Sequence, residues 1–83
     1  MRIVYFAKVR ETIGLGEELR SLPDDVGTIE ACLDWLAVQG SVYQSAFSDR
    51  SKLRFALDQK VAKIDAALYG MEELAIFPPV TGG

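Results

Sequence analysis

A two-layer α+β domain, a mixed β-sheet covered on one face by a helix, is the fold class this sequence predicts. Three observations lead there. Residues 2–9 and residues 73–77 both read as strands, and both are apolar on their two faces, which places them side by side at the centre of a sheet. Between them, residues 28–36 carry apolar side chains at helical spacing along one face only. The chain has 83 residues, 49% of them apolar and 25% charged, a balance that supports one compact core and argues against disorder.

The elements follow in order. In residues 2–9, Ile3, Tyr5, Ala7 and Val9 point to one side, and Val4 and Phe6 to the other. The glycines of Thr12-Ile13-Gly14-Leu15-Gly16 suit a turn. Residues 17–22 return as a more polar strand, closing a hairpin that Pro23-Asp24-Asp25 ends. Thr28 is a good N-cap, and Glu30 lies on the favourable side of the helix dipole. Ile29, Cys32, Leu33 and Leu36 form the buried helix face, and Gly40 stands where a terminating glycine belongs. The pattern at 41–47 allows a short second helix, with Val42, Tyr43 and Phe47 apolar, before a loop at 48–51. Residues 53–58 alternate as a third strand, 58–60 turn, 61–64 form a short strand, and 70–73 turn again. The last strand, 73–77, sets Leu74 and Ile76 against Ala75 and Phe77. Hairpin, helix, short strands and an apolar final strand are the element order of the β-grasp, or ubiquitin-like, architecture. Residues 1–77 make the domain and 78–83 an extended tail.

Composition narrows the function. The charge is 9 − 12 = −3, so no basic stripe for phosphate backbones is expected, and nucleic acid is not a predicted partner. Histidine is absent, which removes the commonest general base and metal ligand, and no metal site is expected. The single cysteine, Cys32, forms no internal disulfide and reads as a buried helix residue. No apolar run approaches the roughly 20 residues that cross a bilayer, so no membrane association is expected and the cytoplasm is the expected compartment. Such a chain is poorly equipped to be a complete enzyme.

The closing residues are the most informative. Pro78 and Pro79 cannot donate ladder hydrogen bonds, so the strand ends there and the chain continues extended through Val80, Thr81, Gly82 and Gly83. Six extended residues reach about 20 Å, enough to carry a terminal carboxylate into a partner's active site. Without Cβ atoms, Gly82 and Gly83 pass a channel too narrow for side chains. Adenylation by ATP would turn the Gly83 carboxylate into a mixed anhydride, which sulfur attacks to give a thiocarboxylate. That chemistry asks for no acid, base or metal from this chain. The plain alternative is a frayed terminus without chemistry.

Two motifs give the sequence a family. Tyr5-Phe6-Ala7-Lys8-Val9-Arg10-Glu11 resembles the F-F-A-x-V-R-E segment, and Phe77-Pro78-Pro79-Val80-Thr81-Gly82-Gly83 the F-P-P-V-[ST]-G-G ending, of the MoaD family, the small sulfur-carrier subunits of molybdopterin synthase. Ala56-Leu57-Asp58-Gln59 resembles the family's A-V-N-Q, with Asp58 where Asn is usual, and Gly70-Met71-Glu72-Glu73 replaces a common D-G-D-E. The resemblance implies a cycle. An adenylyltransferase (MoeB-type) activates Gly83 with ATP, and a sulfur donor protein converts the adenylate to a thiocarboxylate. The tail then delivers sulfur to cyclic pyranopterin monophosphate in the large synthase subunit, within a heterotetramer. ATP is used by the adenylyltransferase, and no cofactor is bound by this chain. The resemblance further implies that Phe6, Val61 and Phe77 form an apolar docking surface and that Arg10 contributes polar contacts. The same three apolar residues also read as core, and Arg10 as a solvated arginine. Carriers of thiamine or cysteine biosynthesis, and a ubiquitin-like interaction module with an inert tail, are the competing readings.

Overall fold

The computed structural model describes residues 1–79. Its strands are β1 (Arg2–Tyr5), β2 (Glu17–Leu19), β3 (Arg54–Leu57), β4 (Lys60–Ala62) and β5 (Glu73–Phe77), and its helices are α1 (Ala7–Ile13), α2 (Ile29–Ala37) and α3 (Ser41–Ala46), with a 3-10 turn at Arg50–Lys52. The sheet order is β2-β1-β5-β3-β4. The first and last strands pair in parallel at its centre, as their two apolar faces predict, and every other pairing is antiparallel. This is the β-grasp arrangement.

α2 forms for the reasons its sequence states. Thr28 Oγ1 accepts from the Ala31 amide at 3.1 Å, capping the helix. The amides of Ile29 and Glu30 donate to the carbonyls of Ala66 and Ile64, so the incoming connection satisfies two more of the first-turn donors. Ile29, Cys32, Leu33 and Leu36 are all fully buried, against Ile3, Tyr5, Leu74 and Ile76 of the sheet.

Several sequence expectations are corrected. The first strand stops at Tyr5 rather than Val9, because Ala7 adopts φ +50° and turns the chain from strand into α1. Alanine rarely takes that conformation, so the sequence carries no warning of the break. Val9 is still buried, but from a helix, and Ala7 is exposed. Thr12 and Ile13 belong to that helix, and the turn begins at Gly14, left-handed at φ +87°. The second strand is shorter than expected, ending at Leu19. The third and fourth strands cover Arg54–Leu57 and Lys60–Ala62, and part of the 48–51 loop is the 3-10 turn. Gly40 does not terminate α2. It precedes α3 in an extended conformation, φ 177°, and Val38 caps α2 instead. α2 is the main helix against the sheet, and α1 and α3 add Val9, Ile13 and Tyr43 to the core.

Candidate functional site

The site is the outer face of the sheet, away from the helices, together with the chain leaving β5. Parity and register define it. Ile3 and Tyr5 point inward, so Arg2 and Val4 point outward, and the register carries that face through Ala75 of β5 and Ala56 of β3 to Val61 of β4. One step along, Phe77 pairs with Arg54, and the Phe6 amide donates to the Ile76 carbonyl at 3.1 Å, extending the central pairing so that Phe6 lies beside Phe77. The result is an apolar strip across the middle of the sheet. Phe6 is 48% exposed, Val61 is 84% exposed, and Phe77 is half-buried. Ala75 is covered because it is small and central. A strip of this kind, next to the end of β5, has the anatomy of an interface centre.

The four docking candidates are not all together. Phe6 and Phe77 are neighbours, and Val61 lies two strands from Phe77 on the same face. Arg10 projects from α1 at the opposite edge, where its Cζ would stand 3.2 Å from a Cβ added at Gly16, the residue whose carbonyl receives the Tyr5 amide. Arg10 is thus on a helix, over the loop into β2, rather than at the end of a strand.

Pro78 and Pro79, both half-buried, line a cavity of about 640 Å³ with Lys8 and Val9 of α1, Ala46 of α3 and Lys52 and Leu53. The remaining tail candidates, Val80, Thr81, Gly82 and Gly83, lie outside the described residues. The strand that precedes Pro78 is well anchored. Asp58 Oδ1 accepts from the amides of Glu72 and Glu73 at 3.0 and 2.9 Å, clamping the entry to β5. An asparagine Oδ1 makes the same bonds, so the departure from the Asn pattern changes a charge and not the geometry. Asp58 sits at φ +47°, a conformation both residues tolerate.

A polar cluster that sequence reasoning missed lies inside, beneath β2. Glu18 Oε2 accepts from the hydroxyls of Tyr5 at 2.7 Å and Tyr43 at 2.6 Å, while Arg20 Nε donates to Glu18 Oε1 at 2.8 Å. Arg20 also donates to the Tyr43 hydroxyl at 3.0 Å and stands over the Trp35 ring at 5.7 Å. Burial pushes the Glu18 carboxyl up, but the hydrogen bonds from Tyr43, Tyr5 and Arg20 outweigh it and hold the group below the ordinary carboxylate value. Burial, then the bond to Glu18, drives the Tyr5 hydroxyl far above its usual range. The only sequence signal was a glutamate at an inward parity position in a strand read as merely polar.

Cys32 is buried, and burial pushes its thiol up to about 11, which suits an inert core residue. No cluster of His, Cys, Asp or Glu placed to hold a metal ion occurs among the described residues. No helix among them is long and apolar enough to cross a membrane.

Comparison with known proteins agrees with this architecture. The model of the ThiS family matches residues 3–83. The chain is 36% identical over 83 residues to the molybdopterin synthase sulfur carrier subunit of Haemophilus influenzae, covering 100% of this chain and 99% of that protein. It is 35% identical to the protein of the same name from Escherichia coli, with the same coverage. The crystal structure of SAMP1 from Haloferax volcanii is similar with a TM-score of 0.72 at 26% identity, covering 100% of this chain and 98% of that one. The chain therefore belongs to the ThiS family and stands within it among the molybdopterin synthase sulfur carrier subunits.

Proposed function

We propose that this chain is the sulfur carrier subunit of a molybdopterin synthase and that Gly83 is its reacting residue. The observation that carries the reading is similarity to sulfur carrier subunits over the full length, with a family match that runs through Gly83. In this reading the Gly83 carboxylate attacks the α-phosphorus of ATP in an adenylyltransferase, releasing pyrophosphate and leaving an acyl adenylate. The terminal sulfur of a donor protein's persulfide attacks the acyl carbon and expels AMP, and a thiol then cleaves the resulting acyl disulfide, forming a disulfide with the donor's sulfur and leaving a thiocarboxylate on Gly83. The large subunit then receives the tail, and the sulfur passes to cyclic pyranopterin monophosphate while water restores the carboxylate. ATP belongs to the adenylyltransferase's site, and the reactions take place in the cytoplasm.

This chain's own part is mechanical. The parallel pairing of β5 with β1 and the Asp58 clamp fix the strand that leads into Pro78 and Pro79, and the two prolines end it. The apolar outer face, with Phe6, Val61 and Phe77, supplies the docking area that holds it in a partner, and Arg10 adds a contact at the far edge. Binding energy collected on that face offsets the cost of ordering the tail.

Intact-mass measurement after incubation with an adenylyltransferase, ATP, Mg²⁺ and a sulfur donor tests the reading. The mass is expected to rise by one oxygen-to-sulfur exchange, and adding the large subunit and precursor should return it while dithiolene forms. A chain that stays unmodified while the Escherichia coli carrier is converted in the same mixture would overturn the assignment. Conversion without dithiolene formation would point to a carrier of another pathway.

A further inference from the structure

We propose that the β3–β4 flank of the docking face recognises carboxylates on the large subunit, with Arg54 as the anchor and Lys63 as a second charge. The inference rests on the docking face described under the proposed function and specifies the partner chemistry it meets.

Position comes first. Arg54 opens β3 and is the register partner of Phe77, the last residue before Pro78. Its side chain therefore leaves the sheet on the apolar outer face, at the root of the tail. Next is its state. One guanidinium nitrogen, Nη1, donates to the carbonyls of Ser51 at 3.0 Å and Leu53 at 2.8 Å. No carboxylate lies within 4 Å of the group among the described residues. The fork is held by its own turn, with Nε and Nη2 left to donate. A pre-set guanidinium with two parallel donors matches a carboxylate bidentately and loses little freedom on engaging it.

The surroundings agree. Arg54, Val61 and Lys63 border a shallow cavity of about 460 Å³ at the β4 edge, whose other lining residues include Phe55, Ala62 and Ile64 on the core side of the sheet. Lys63 likewise has no carboxylate within 4 Å among the described residues, whereas Arg50, also on the rim, is already paired with Asp34 at 2.6 Å. Across the sheet the charge is cancelled, because Arg2 is held by Glu73 at 2.6 Å. The outer face is thus apolar in the middle, neutral at Arg2 and Glu73, and positive along β3–β4. That excess stands out on a chain with net charge −3. Two cations with no carboxylate partner among the described residues, beside the exposed Val61, are too few for a phosphate backbone, whose binding grows with the number of charges neutralised. They fit a protein rim that presents one or two carboxylates beside apolar side chains, where a charged edge orients the encounter and fixes register.

Binding of the purified large subunit to the full-length chain tests this, measured by titration calorimetry for the wild type, Arg54→Glu, Arg54→Gln, Lys63→Glu and Val61→Asp, at about 50 mM and about 300 mM NaCl. Arg54→Glu is expected to weaken binding by about tenfold or more at low salt, Arg54→Gln by less, and Lys63→Glu by a few-fold, with the wild-type salt dependence flattened in Arg54→Glu. Thermal melts check folding, and Arg54→Gln carries the test should the glutamate variant melt early. If the Arg54 and Lys63 variants bind within about twofold of wild type while Val61→Asp binds poorly, the charged flank is refuted and the apolar face stands. If Val61→Asp is also unaffected, the docking face itself falls and this inference with it. If Arg54→Glu binds the large subunit normally and fails only with the adenylyltransferase, the assignment to the large subunit is overturned.

Discussion

Glu18→Ala should be among the most destabilising single substitutions at a charged position of this chain. The Tyr5 ring is 1% exposed and its hydroxyl donates to Glu18, whose own side chain is 13% exposed. Removing the carboxylate leaves that O–H without an acceptor, at a cost of about 1–3 kcal/mol. Tyr43 keeps its contact with Arg20, so the loss of its bond and of the Arg20 ion pair adds about 1 kcal/mol more. A total of about 3 kcal/mol in a domain of this size lowers the melting temperature by about 15 °C. The second substitution, Tyr5→Phe, removes the donor, so the double variant should be no less stable than Glu18→Ala alone. Circular dichroism melts and urea titrations of the four proteins measure this cycle. Additive losses within about 0.5 kcal/mol would refute the reasoning, because they would mean that the Tyr5 hydroxyl is not orphaned. The pH dependence gives a second check. The Glu18 carboxyl is held below its ordinary value of 4.5, so its contribution is complete above that value and is lost as pH falls through the lower folded value. Between Glu18→Gln and wild type, the stability gap should therefore narrow on acidification below about pH 4.5.

Three other outcomes are expected. Asp58→Asn should leave stability within about 0.5 kcal/mol, whereas Asp58→Ala should cost about 1–2 kcal/mol by freeing two amides at the entry to β5, as read by denaturant titration. Val61→Asp should melt like wild type, since the residue is 84% exposed, yet weaken binding to the large subunit by about tenfold or more, because burying a valine contributes up to about 2 kcal/mol. Cys32 should resist thiol reagents at about pH 8 until the protein is unfolded by denaturant, given its burial and a thiol pushed up to about 11. Rapid modification of the folded chain would contradict that burial.

The helix α2 and the strand β5 were legible because each is governed by a local rule. A cap and a one-sided stripe make the first, and two apolar faces between a turn and a proline pair make the second. The family was legible for a different reason: a resemblance in the seven consecutive residues 77–83 points to it, and the family model matches through residue 83. The end of β1 was not legible, since the strand pattern continues through Lys8 and Val9 while the backbone turns at Ala7. Periodicity records which residues are apolar, and both a buried strand and the start of an amphipathic helix satisfy it.

By itself, then, the sequence determined the layer architecture and the central pair of strands, both of which follow from composition and short-range spacing. The tertiary structure alone decided that Glu18 joins two tyrosines from distant elements, that Phe6 and Phe77 are neighbours while Arg10 stands at the opposite edge, and that Arg54 faces outward beside the tail root. Those facts depend on strand register and on contacts between elements far apart in the chain, such as Tyr5 with Glu18, Tyr43 with Glu18 and Phe6 with Ile76, which no local pattern encodes.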